Sequence, residues 1–94
     1  MPNKIAVIHA MRVAVAPVEE AFRRLWPEAR TTSLLDESLA RELAEAGRLT
    51  QGIMDRIAQH TRACRGQGAQ AVLFSCSAFG AALDAAPPGK GIPV

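Results

Sequence analysis

The sequence predicts an α/β protein, a parallel four-stranded sheet in the order 2-1-3-4 with flanking helices. Two continuous apolar runs, Ile5-Ala6-Val7-Ile8 and Ala71-Val72-Leu73-Phe74, read as strands buried on both faces. Segments of helical periodicity separate the strand candidates, bounded by residues that start and stop helices. Such alternation demands right-handed crossovers, which make neighbouring strands parallel. The 94 residues give room for one domain, 1–94.

Each element has its own local reason. The first strand, 5–8, lies between Lys4 and His9. Pro17 is expected to open the first helix, because a missing N–H is harmless there. Glu19 and Glu20 then suit the first turn, and Val18, Ala21, Phe22, Leu25 and Trp26 share one face. Pro27 ends it. Residues 29–35 form a second strand candidate. Ser38 is expected to cap a short helix carrying Leu39 and Leu43, with an acid at Asp36 or Glu37 as another cap, and Gly47 stops it. Thr50 caps the next helix, whose inner face carries Ile53, Ile57, Thr61 and Cys64 and which Gly66 and Gly68 end. After the strand at 70–74, residues 79–86 read as a helix and 92–94 as the start of a fourth strand.

Composition narrows the function. Hydrophobic residues make up 49% and charged residues 21%, the balance of a soluble globular protein. The net charge of +2 comes from nine Arg and two Lys scattered among nine acids. With aromatics at 4% and no basic block, no nucleic-acid partner is expected. The longest apolar stretch, 69–86, is broken by Gln70, Ser75, Ser77, Gly80 and Asp84, so no membrane span is expected. Two cysteines do not make a secreted disulfide framework, and the apolar run at the N-terminus is short for a signal peptide. These features point to a reduced, cytoplasmic protein.

In the order 2-1-3-4 the chain reverses direction between the first and third strands, and ligands bind outside the carboxyl ends at that point. The residues there are His9-Ala10-Met11-Arg12 and Ser75-Cys76-Ser77-Ala78. Topology therefore places a thiol beside a histidine and an arginine. Cys76 falls between a strand and a helix N-terminus, where the dipole lowers a thiol pKa and favours anions. A thiolate there can act as a base or a nucleophile, and a small packing residue is the plain alternative. His9 suits proton exchange or carboxylate binding, and Arg12 suits a bidentate carboxylate contact. Cys64 reads as core and His60 as a surface or boundary residue. Asp36 and Glu37 border the same edge. No metal-binding, dinucleotide-binding or phosphate-loop motif is present in the sequence, and position 82, where a phosphatase-type loop needs Arg, is Ala.

The segments Ile5-Ala6-Val7-Ile8-His9-Ala10-Met11-Arg12, Leu34-Leu35-Asp36-Glu37-Ser38-Leu39 and Leu73-Phe74-Ser75-Cys76-Ser77-Ala78-Phe79-Gly80 resemble the aspartate/glutamate/hydantoin racemase superfamily, specifically its racemase-like branch. The likeness covers the chain but only the first half of a typical member. It implies a flavodoxin-like half of a two-domain fold, with substrate clamped between similar domains. It also implies cofactor-independent racemisation, in which one cysteine per domain moves the Cα proton of a small carboxylate or hydantoin. By that resemblance Cys76 is the catalytic cysteine, Ser77 and Ala78 cradle the substrate, and His9 and Arg12 line the first loop. The loop lacks the Asp-Ser pair of glutamate racemases, and Ser77 replaces the common Asn. The resemblance leaves a missing second domain, a homodimer facing Cys76 with Cys76, or a form without catalysis. Decarboxylation or cis–trans isomerisation by one-cysteine relatives is an alternative. A non-catalytic α/β module binding a small anion or a partner is the alternative from another class.

Overall fold

A computed structural model describes residues 3–75. Apolar and β-branched residues build strand β1 (Asn3–His9), followed by a 3-10 turn at Arg12–Ala14 and helix α1 (Val15–Leu25). Strand β2 (Ala29–Leu35), helices α2 (Glu37–Ala46) and α3 (Gln51–Gly66) and strand β3 (Ala71–Phe74) complete the order. The strands are parallel in the order β2-β1-β3, with β1 central. This matches the first three strands of the expected sheet. The expected helix at 79–86 and strand at 92–94 lie outside the described residues.

Register fixes which side chains share a face. Ala6 pairs with Thr32 and Val72, and Ile8 with Leu34 and Phe74. Successive strand residues point to opposite faces, so these even positions look the same way. Ala6, Ile8 and Val72 pack with Cys64 of α3 in one core cluster. Leu39 of α2, Ile53 and Ile57 of α3 and Ala10 form the adjoining cluster. On the other face α1 lies along β2, where Ser33 Oγ donates to Glu19 Oε2 at 2.8 Å.

Several boundaries differ from the sequence reading. His9 is the last residue of β1, paired with Leu35, rather than the first residue beyond it. Helix α1 starts at Val15, so Pro17 is its third residue, a position whose N–H has no partner within the helix. Glu19 and Glu20 therefore leave the first turn, and they bind Ser33 and Arg23 instead. The apolar face of α1 is narrower than its periodicity implies: Leu25 is 79% and Trp26 39% exposed. Trp26 packs on Phe22, ring centroids 6.3 Å apart, rather than into the core.

Helix α2 is capped by Asp36, not Ser38, because the carboxylate accepts from Ser38 N at 3.0 Å. A carboxylate also suits the positive end of the helix dipole better than a hydroxyl. The expected Gly47 stop holds, with φ of +72°. Thr50 Oγ1 accepts from Ile53 N at 3.2 Å, capping α3 as the sequence indicates.

Candidate active site at the carboxyl edge of the sheet

The crossover topology brings the ends of β1, β2 and β3 to one edge. Ser75 N donates to Ile8 O at 3.2 Å and extends the ladder one residue past β3. Asp36 N donates to His9 O at 2.9 Å and ties the end of β2 to β1 from the other side. His9 is held between them.

His9 is fully buried, at 0% exposure. Its Nδ1 and Ser75 Oγ are hydrogen-bonded at 2.9 Å, while Nε2 has no hydrogen-bond partner among the described residues. Burial pushes the His9 pKa below 6.5 because the imidazolium loses its hydration, and Glu19 across the face only partly offsets this. The shift favours the neutral ring. That ring can donate from one nitrogen and accept at the other, and the Ser75 hydroxyl, itself donor and acceptor, suits either tautomer. A buried ring nitrogen without a partner is unusual in a folded core.

Arg12 does not turn towards His9. Its Nη2 reaches Glu37 Oε1 at 2.8 Å, and the side chain is 77% exposed. Both residues border a shallow depression of about 500 Å³ with Ala10, Met11, Val13 and Ala40. The structure thus separates the two candidate residues of the first loop: His9 enters the core and Arg12 stays at its rim. Cys76, Ser77 and Ala78 lie outside the described residues.

A second constellation flanks the edge. Asp36 Oδ2 accepts from His60 Nε2 at 2.8 Å, and Arg56 Nη1 lies 3.9 Å away. Arg56 also bonds Ser38 Oγ and pairs with Glu42 Oε1 at 2.7 Å. Burial raises the Asp36 pKa, but hydrogen bonds from Ser38 and His60 outweigh it and leave the carboxyl below 3.8. The carboxylate thus fastens α2 to α3. The role of His60 was hidden by its polar neighbours Gln59, Thr61 and Arg62. The usable signal was spacing, since His60 stands three residues beyond Ile57 and seven beyond Ile53, at the half-buried border of the buried stripe.

Cys64 is buried, as its position on the apolar face implied, and burial raises its thiol pKa. Among the described residues no group of three His, Cys, Asp or Glu side chains is arranged to hold a metal ion. No described helix is long and apolar enough to cross a membrane. Comparison of the chain with protein families, curated proteins and solved structures finds no match.

Proposed function

We propose that the chain works at this edge as a cofactor-independent racemase-like enzyme. In this reading the thiol of Cys76 moves a proton at the Cα of a small carboxylate or hydantoin. The observation that supports it best is the 2.9 Å contact between His9 Nδ1 and Ser75 Oγ, with Cys76 next in sequence. The parallel order β2-β1-β3 adds support, because the switch between β1 and β3 is where such sheets bind ligands. Burial lowers the His9 pKa, which favours an uncharged polar group at the end of β1, on one side of that switch point. The resemblance supplies the remainder, with Ser77 and Ala78 holding the substrate's carboxylate or ring carbonyl.

The reaction needs one proton off Cα and one returned. A cysteine thiolate accepts the first proton, and the second comes from a thiol or solvent on the opposite face. Deuterium from solvent therefore enters at Cα even where no net turnover occurs. Purified protein is incubated in D₂O with a panel of small amino acids, dicarboxylates and 5-substituted hydantoins, and exchange is followed by proton NMR. Wild type exchanges at least one substrate. Cys76→Ala loses roughly 10²–10⁴-fold in rate, the usual contribution of a proton-transfer group, while Cys64→Ala retains exchange. Equal exchange in wild type and Cys76→Ala, or none in wild type across the panel, overturns the assignment.

A partner-binding module is the second reading, favoured by the depression at the same edge. Met11 and Val13, which line it, are 52% and 71% exposed. That reading expects concentration-dependent association that Met11→Lys abolishes, with no exchange at Cα.

A further inference from the structure

We infer that the opposite, amino edge of the sheet carries a separate site for a doubly charged oxyanion of the phosphate class. A groove of about 310 Å³ lies there between the end of α3 and the outer strand β2. Lys4, Arg30, Thr31, Thr32 and Gln67 line it, with Cys64 among the buried residues beneath. The side chains of Lys4, Arg30, Thr32 and Gln67 can each donate a hydrogen bond, Thr31 turns its side chain to the α1 face, and no Asp or Glu among the described residues lines the groove.

Three features set this groove apart from a scatter of solvated cations. Lys4 and Arg30 are register partners on adjacent parallel strands, so two positive side chains leave the same face side by side. Like charges directly opposite each other destabilise a strand pair unless something neutralises them. Neither residue has an ion-pair partner among the described residues, a condition shared by Arg24, Arg41, Arg48, Arg62 and Arg65, so their register pairing is what distinguishes Lys4 and Arg30.

The second feature is the close approach of Lys4 to the turn after α3. A Cβ at Gly68, where φ is +98°, would meet Lys4 Nζ at 3.2 Å. Glycine both permits that backbone and leaves space for the ammonium. The third concerns α3's own carbonyls. Gln67 N, Gly68 N and Ala69 N already donate to Ala63 O, Arg65 O and Cys64 O. Backbone groups thus serve three of the four terminal carbonyls of α3, and no hydrogen bond joins the Lys4 ammonium to the helix end.

Two cations on one face of the sheet, with the Thr32 hydroxyl and the Gln67 amide lining the same groove, match a dianionic phosphoryl group better than a single carboxylate. The groove volume falls in the range of small-ligand sites. The site stands at the end of the strands opposite His9 and Ser75, so it is independent of the proposed proton transfer.

The test is a titration of ¹⁵N-labelled protein with sodium phosphate, glycerol phosphate and sodium acetate, ionic strength held constant with chloride. Amide shifts of Lys4, Arg30, Thr32, Gln67 and Ala69 are expected to move saturably with both phosphates and not with acetate. Arg30→Gln, at an exposed position, weakens binding tenfold or more, and Lys4→Gln does the same. Unmoved signals of Asp36 and Ser75 show that each variant stays folded. Tighter binding of the ester assigns a phosphorylated metabolite, and equal binding assigns phosphate itself. Shifts that fail to saturate, that acetate reproduces, or that survive Arg30→Gln overturn the inference.

Discussion

His9 and Asp36 both have lowered pKa values, from opposite causes: burial disfavours the charged imidazole, whereas hydrogen bonds outweigh burial to favour the charged carboxylate. A buried imidazole with a lowered pKa binds fewer protons in the folded protein than in the unfolded chain. Its contribution to stability is therefore complete above the unfolded value near 6.5 and declines as pH falls through the lower folded value. Asp36 also has a lowered pKa, so its contribution is present above 3.8 and declines as the pH falls below that value. Denaturant unfolding at pH 7.5, 5.0 and 2.5 is expected to show two successive losses. His9→Gln, which keeps hydrogen-bonding groups but does not titrate, flattens the first of them and leaves the second. A first step of unchanged size in His9→Gln would mean that another group supplies it.

At the scale of elements, helix ends decide more than helix interiors. Asp36 caps α2, accepts from His60 of α3 and sits beside Arg56, so one carboxylate joins two helices. Asp36→Ala removes the cap and leaves His60 Nε2 without its acceptor, while Arg56 keeps Ser38 and Glu42, a cost of about 2–3 kcal/mol. Ser38→Ala, by contrast, should cost below about 1 kcal/mol, since the helix keeps its carboxylate cap. Thermal denaturation of the two variants compares them directly, and equal losses would return the capping role to Ser38. The interchange was not legible in the sequence because Asp36 and Ser38 both belong to the residue types that cap helices. Which one does so depends on where β2 ends. The Asp36 N to His9 O bond at 2.9 Å sets that end, and it comes from pairing with β1, not from local propensity.

Across the whole molecule, a small set of side chains couples the layers. Leu39 is fully buried where α2, α3 and Ala10 meet, beside the loop that follows β1. Leu39→Ala is expected to cost about 3 kcal/mol through lost burial and the cavity left behind. Proteins of this size unfold cooperatively, so helix content and the environment of Trp26 should be lost together in chemical denaturation. Separate transitions for the two probes would show that α1 and the α2–α3 layer are not one folding unit.

Much of the fold was determined by the sequence alone. The apolar runs ending at Ile8 and Phe74 produce strands because they offer no polar face, and Thr50 and Gly47 mark helix ends through chemistry local to the chain. The stripe Ile53, Ile57, Thr61 and Cys64 is buried as its spacing requires. Tertiary structure alone decided the partners. Arg12 reaches Glu37 rather than the interior, His60 reaches Asp36, and His9 meets Ser75 across 66 positions of chain. Periodicity records which face of an element seeks an apolar neighbour, a property of one segment at a time. Hydrogen bonds between segments depend on the crossing of strands and helices, and only the assembled sheet fixes those distances.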